Sequence, residues 1–328
     1  MTTATKNSIE VLLGSLQATE FKPDIPFELG GDQPLDMIAA YKMSDPEAHW
    51  LFLTTGFKKY GFELSFRVKS DDETAPMWAV EFIKSLAKFA FNRDNGFVVG
   101  DMVAINRPLV SFVDCFLDTV LFVEDPAIEA LEDGGDSIEF IQIMPITADE
   151  AMAARSWTME KFMQVLSYQT PAGLVDLGRF SILKNENIAQ AIRRGAENDG
   201  SDTECVPCGK ILFNVSDASS AYIEIDALAA EYLLAILPGR IPHGRSIEVI
   251  SPEHNVKLMA GDEGMIRGVS DSWVEITLTP NMYNQMMENL QLKRKRFFFD
   301  EFENVSFSVN DYYIKDMENR TVGVKQWR

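Results

Sequence analysis

The chain has 328 residues, 46% apolar and 24% charged, enough for about two domains and a core that needs no disulfide or metal. Asp and Glu number 50 against 30 Lys and Arg, a net charge of −20 shared by both halves, which argues against nucleic acid as the main partner because phosphate binding needs a basic footprint. Three cysteines make no disulfide framework, no secretory leader pattern opens the chain, and no apolar run reaches the ~20 residues of a membrane span, so a soluble cytoplasmic protein is expected.

A first helix is predicted from Ser8 to Leu16, then an extended, turn-rich segment "KPDIPFELGGDQP" and a strand "LDMIAAYKM". "HWLFLTTGFKKYGFELSFRV" reads as strand, turn, strand, with the connection around Gly56 to Gly61. In "DDETAPMWAVEFIKSLAKFAFNRDNG", Pro76 suits a first helical turn, and Asn95-Gly96 marks the end. Trp78, Phe82, Ile83, Leu86, Phe89 and Ala90 fall on one helical stripe, read as core. Strands are expected in "FVVGDMVAI", "VSFVDCFLDTVLFV" and "SIEFIQIMPI", the last alternating as if one face were buried. The acidic stretch "EDPAIEALEDGGDSIE" reads as a solvated loop, and its spacing does not match an EF-hand.

Thr147 and Glu150 form a capping box ahead of the helix "ADEAMAARSWTMEKFMQVL", and another helix spans Asn185 to Arg194. "GAENDGSDTECVPCG" turns polar and Gly-rich and reads as a linker. Strands "KILFNV" and "AYIEIDA" follow, and Asp226 caps "ALAAEYLLAIL". "RSIEVIS", "VKLMAG", "MIRGVS" and "WVEITLT" are further strands, Thr279-Pro280 opens "NMYNQMMENLQLKRKR", and "FENVSFSV" is a last alternating run. Strands and helices mix without regular βαβ alternation or internal repeat, so the class is α+β.

No P-loop, GxGxxG in a βα context, GxSxG or HExxH occurs. Cys205 and Cys208 form a CxxC, but no second CxxC or HxxxH completes a metal site, and a strand rather than a helix follows; an inert loop pair is expected. His49 beside Trp50 reads as structural. "LPGRIPHGRSIEVI" gathers Arg240, His243 and Arg245 between Gly and Pro; a functional loop and a loop pinned by ion pairs stand level. "QLKRKR" follows a helix and complements its dipole. No catalytic machinery, metal site or cofactor is read.

Several segments in order resemble the Suppressor of fused family. "AHWLFLTTGF", "YGFELSFRVK", "APMWAVEFIKSLAKFAF", "LFVEDP" and "IEFIQIMPITADE" are similar to its N-terminal domain. "IRRGAENDGSD" is similar to the segment just after that domain; "LPGRIPHGRSIEVI" and "SWVEITLTPNMYNQMMENL" resemble its C-terminal domain. The resemblance implies a non-enzymatic binding protein with two mixed α/β domains facing each other across a cleft. The implied boundaries are 1–195 and 211–328, with a linker over 196–210. Animal members bind Gli-type transcription factors through an extended peptide added as a strand between the domains. Bacterial members are associated with toxin genes and inferred to be immunity proteins.

This chain departs from the animal pattern at the opening hairpin. A long ligand-contacting loop is replaced by Lys58-Lys59-Tyr60, and a large C-terminal insertion is missing, as in a compact bacterial member. Expected partner contacts, carried over from the matched segments, are Gly56, Phe57, Tyr60, Arg240, His243 and Arg245, with Lys58 and Lys59 as solvated turn residues. The expected partner is a protein or extended peptide, with a basic toxin, a sequestered transcription factor or other partner, and an unrecognised enzyme using acids and His243 in the interdomain cleft as competing readings; no nucleic acid or membrane is expected.

Overall fold

The computed structural model describes residues 13–14, 16–133, 136–217, 220–315 and 320–327. The helix expected over Ser8–Leu16 lies almost wholly outside the described residues. The chain divides into two compact units, one of Met1–Ala151 with Met163–Ile182, the other of Met152–Phe162 with Leu183–Arg328. Mixed sheets and helices occur in both, as the α+β reading expects. Among the described residues no helix is long and apolar enough to cross a membrane.

The first unit is built on strands β1 (Thr19–Phe21), β2 (Met37–Met43), β3 (His49–Thr55), β4 (Phe62–Lys69), β5 (Met102–Ala104), β6 (Leu117–Glu124), β7 (Leu131–Asp133) and β8 (Asp136–Thr147). They form one sheet in the order β1-β2-β3-β4-β8-β6-β5, with β7 paired to β8. β4 and β8 run parallel; the other neighbours are antiparallel. β8 sits between β4 and β6, so from Phe140 to Thr147 every residue is buried. The alternation read in "SIEFIQIM" therefore describes only the strand's first half; a central strand covered on both faces loses it.

Helix α1 (Met77–Arg93) packs Ala79, Val80, Ile83, Leu86, Ala87 and Ala90 inward. The expected stripe is rotated: Trp78, Phe82 and Phe89 are half-buried flanks, because small alanines let the helix approach closely. It ends one residue before Asn95, at Asp94 with φ 46°, whose N–H caps the carbonyls of Ala90 and Phe91. The acidic stretch after β6 is not wholly solvated. Its Asp125 is buried against Arg67, and β7 pairs within it.

Chain connection between the units runs through α2 (Ala148–Ser156) and α3 (Met159–Gln169), which break the single helix expected there. The capping box holds in part: the Thr147 N–H donates to Glu150 Oε2 at 2.9 Å, while the Thr147 hydroxyl turns to Asp149.

The second unit begins with α4 (Glu186–Asp199), capped by Asn185 through the N–H of Asn187. Residues 196–210 are not an extended linker. The helix runs to Asp199, and β9 (Cys205–Pro207) pairs in parallel with β12 (Ile247–Ile250). Gly and Asp there serve a helix end and a sheet edge. The remaining strands are β10 (Leu212–Asp217), β11 (Ser220–Asp226), β13 (Asn255–Ala260), β14 (Met265–Ser270), β15 (Trp273–Leu278), β16 (Arg296–Phe299), β17 (Phe302–Asn310), β18 (Tyr312–Lys315) and β19 (Thr321–Lys325). They form sheets ordered β14-β15-β13-β12-β9 and β10-β11-β17-β16, plus the β18-β19 pair.

Helix α5 (Ala227–Ile236) is apolar around most of its surface and is correspondingly deeply buried, with Asp226 accepting from the N–H groups of Leu228 and Ala229. Helix α6 (Pro280–Gln291) is capped by Thr279, whose hydroxyl accepts from Met282 N at 3.1 Å. It stops at Gln291, so the basic run that follows lies beyond the helix rather than in its last turn.

Candidate partner-binding site

In the hairpin of β3 and β4, the connection is a 3-10 turn over Lys58–Tyr60. Gly61 closes it at φ 83° and donates to Lys58 O at 3.0 Å. Gly56 has φ 140°, and a Cβ there would stand 3.0 Å from Leu35 Cα, so glycine is required on both counts. Phe57 is 0% exposed. Its ring stacks on Phe62 at 4.9 Å and meets Phe91 at 5.6 Å and Phe97 at 6.4 Å. The expectation that Phe57 offers an accessible aromatic contact is corrected: a turn this short leaves its first side chain nowhere to go but into the core.

Tyr60 is half-buried and donates from its hydroxyl to Asp94 Oδ1 at 3.2 Å. Lys59 is not merely solvated. It donates to the same oxygen at 3.1 Å and lies 4.5 Å from the Tyr60 ring centroid and 4.6 Å from that of Phe91. The Lys59 and Tyr60 hydrogen bonds hold the Asp94 carboxyl below its ordinary pKa.

Below the turn, Glu63 is buried. It accepts from Thr54 Oγ1 at 2.6 Å, Gly56 N at 2.8 Å and Phe57 N at 3.0 Å. Burial raises its pKa, and the three donors oppose the shift. One carboxyl thereby satisfies the two backbone donors that a two-strand corner leaves orphaned.

In the second unit, "LPGRIPHGR" forms two short 3-10 turns, Leu237–Gly239 and Ile241–His243. Arg240 is 6% exposed. Its Nε reaches Ser246 O at 2.9 Å, its Nη2 the same oxygen at 2.5 Å, and its Nη1 Ser201 O at 2.9 Å. Arg245 Nη1 also donates to Ser201 O at 3.0 Å and lies 4.0 Å from Asp202. Ser201 N returns a bond to Gly239 O at 2.8 Å. A Cβ on Gly200 would meet Gly239 O at 2.7 Å and His243 Cγ at 3.2 Å.

The loop is therefore pinned, as one of the two sequence readings has it, but the acceptors are mostly backbone carbonyls rather than acids. The two stretches that resemble family segments on either side of β9, "IRRGAENDGSD" and "LPGRIPHGR", meet at Ser201. His243 and Arg245 are half-buried and keep accessible surface.

Gly56, Phe57 and Tyr60 are thus brought together in one unit, and Arg240, His243 and Arg245 in the other. A buried network went unread in the sequence. Arg67 forms a two-pronged pair with Asp125 at 2.6 and 2.9 Å and donates to Gln142 Oε1 at 3.0 Å. Gln142 in turn donates to Gly173 O at 2.6 Å. Its signal in the sequence is Ser65 and Arg67, which with Glu63 alternate with apolar residues in the strand "FELSFRV". His49 is structural: it is buried, its Nδ1 lies 2.8 Å from Glu47 O, and burial lowers its pKa.

Cys205 is exposed and Cys208 buried, and both are free. Burial, reinforced by the nearby Asp226 carboxylate, pushes the Cys208 thiol up to about 12, the opposite of a reactive redox cysteine. Among the described residues no group of three or more His, Cys, Asp or Glu could hold a metal ion.

Residues 31–180 match the model of the Suppressor of fused protein family. The Suppressor of fused homolog of Mus musculus is 26% identical over 211 residues, covering 54% of this chain and 43% of the mouse protein, so the match spans under half of that relative's length. The crystal structure of Drosophila Suppressor of Fused superposes with a TM-score of 0.72 at 16% identity, covering 92% of this chain and 95% of that one. A chain of the Sufu–Fu complex crystal structure superposes with a TM-score of 0.53 at 17% identity, covering 59% of this chain and 95% of that one. At such identities the structural likeness is one of fold. The resemblance read from the quoted segments holds as a likeness: residues 31–180 match the Suppressor of fused family model, and the chain carries the Suppressor of fused fold over most of its length.

Proposed function

We propose that this chain is a regulatory, non-catalytic protein-binding protein that holds an extended segment of a partner. The observation that carries the reading is the match of residues 31–180 to the family model. A protein of the same fold has been crystallised in a Sufu–Fu complex, so the scaffold is compatible with a protein ligand. In this reading Tyr60, His243 and Arg245 make the partner contacts, because they keep accessible surface. Gly56, Phe57 and Arg240 shape the two sites from within. Three free cysteines suit a reducing, cytoplasmic setting.

The test is purification of the tagged full chain from its native host, followed by titration of each captured protein, separately purified, against it. A saturable one-to-one complex weakened by Tyr60→Ala or His243→Ala is expected. A chain that binds none of the captured proteins in purified form overturns the reading.

A second reading, toxin immunity, is favoured by the net charge of −20, since an acidic protein is steered toward a basic partner. It requires the captured partner to be toxic when expressed alone and harmless when co-expressed with this chain. A partner harmless on its own rejects immunity and leaves sequestration.

A further inference from the structure

The acidic chain carries one consecutive run of four cations, Lys293-Arg294-Lys295-Arg296, between α6 and β16. All four are exposed. After α6 the chain reverses through Lys293 at φ 55°, with Lys293 N donating to Leu290 O at 3.1 Å and Arg294 N to Asn289 O at 3.2 Å. Among the described residues no carboxylate pairs with any of the four. Lys293 instead lies 5.6 Å from the Trp327 ring centroid, and Arg294 donates to Asn289 Oδ1 at 3.3 Å. The Arg296 guanidinium stands 5.6 Å from the Tyr222 ring and 5.2 Å from the Phe298 ring and reaches Ser306 Oγ at 3.3 Å. It is positioned by rings and a hydroxyl, with no carboxylate against it among the described residues.

The strand that carries this charge ends its sheet: the order is β10-β11-β17-β16. Val309 N donates to Lys295 O at 2.6 Å, and the register pairs Arg296 with Ser308, Phe297 with Phe307 and Phe298 with Ser306. Antiparallel ladders bond at every second residue. With the bonds to β17 at Lys295 and Phe297, the N–H and C=O groups of Arg296 and Phe298 point away from β17. Phe297 and Phe299 are buried, while Phe298 is 51% exposed on the opposite face. Leu292, at the head of the basic turn, is also exposed. One outer backbone edge, one exposed ring and four cations with no carboxylate partner among the described residues thus share a short stretch of surface.

We propose that the free edge of β16 is a docking strand for an extended, acidic polypeptide segment. The segment's backbone continues the sheet past β16, and its carboxylates meet Lys293–Arg296. The ladder of alternating donors and acceptors selects polypeptide over nucleic acid, since only a peptide backbone complements it. The charge selects an acidic one. This surface uses none of Tyr60, His243 or Arg245. The competing explanation is that the charges only guard a sheet edge against self-pairing.

The test uses the full chain and fluorescein-labelled probes followed by anisotropy: a decapeptide alternating Glu and Val, one alternating Lys and Val, and an oligothymidylate of the same length. The acidic peptide is expected to bind, and the double variant Lys295→Glu, Arg296→Glu to weaken it by about tenfold or more. Phe298→Pro, which removes an outward-pointing N–H and leaves the β17 bonds in place, is expected to abolish binding with an unchanged circular dichroism spectrum. Amide exchange in the intact chain provides a readout that needs no variant, and bound peptide should protect the N–H groups of Arg296 and Phe298. No binding of the acidic peptide, unweakened binding by the double variant, tighter binding of oligothymidylate, or no added protection would each overturn the proposal. Self-association of the double variant without peptide binding by the intact chain would assign the charges to edge protection.

Discussion

The hairpin tip of the first unit and the 237–245 loop of the second are both turns built from residue types that invite a functional reading. They are held by opposite means. The tip is held from inside by a side chain, Phe57 in its aromatic cluster, with Glu63 taking up the corner's backbone donors. The loop is held by an arginine that donates outward to the carbonyls of Ser201 and Ser246. The lesson is that residue types in a family-like segment can be set by how it folds, which leaves Tyr60 at one turn, and His243 and Arg245 at the other, with accessible surface.

This contrast can be broken most sharply at Phe57. Phe57→Ala should destabilise the first unit by about 3–5 kcal/mol, the cost of emptying a fully buried aromatic site. Urea denaturation combined with amide exchange in β3 and β4 reads it, and a loss near zero would mean the tip is not anchored by its core ring.

The loop should respond less. Arg240→Ala strips both donors from the Ser246 carbonyl and one of two from that of Ser201, a cost of about 1–3 kcal/mol. Arg245→Ala, at a half-exposed side chain, should change the same exchange-derived stability little. Equal effects from both would deny Arg240 its distinct role.

Glu63 sharpens the comparison through pH. Burial raises its folded-state pKa above the ordinary carboxylate value, so between those two values the folded state binds more protons than the unfolded. Its contribution is therefore fully present below the ordinary value and is lost as pH rises through the raised one. Glu63→Gln should flatten this fall in melting temperature, measured from about pH 4 to 7. An unchanged slope would place the titration elsewhere.

Thiol labelling gives a smaller signal. Ellman's reagent should react promptly with Cys205 alone, with Cys208 and Cys115 joining only on unfolding. Smallest of all, Lys59→Ala should leave the melting temperature unchanged within error, because its pairing with Asp94 is exposed and screened.

Much of the fold was legible in the sequence where local chemistry acts alone. The β3–β4 hairpin, the caps at Asn185, Asp226 and Thr279, and the apolar strands follow from pattern and capping oxygens within a few residues. The candidate site was half legible: the sequence singles out the two turns, but not which of their residues face solvent. Phe57 and Tyr60 are aromatic neighbours three apart, and only the packing of Phe62, Phe91 and Phe97 decides that the first is core. The acidic stretch after β6 likewise gives no local sign that Asp125 will meet Arg67, 58 residues earlier.

By itself, then, the sequence determined the α+β class, the acidic charge, most element positions and the family resemblance, because each rests on residue type and short-range periodicity. Tertiary structure alone decided that 196–210 is a helix end and a paired strand, that the rotated face of α1 is the buried one, and that Ser201 joins two distant segments. It also decided that the basic run after α6 lies on a free sheet edge. These depend on contacts between residues far apart in the chain, and no local pattern encodes such a partner.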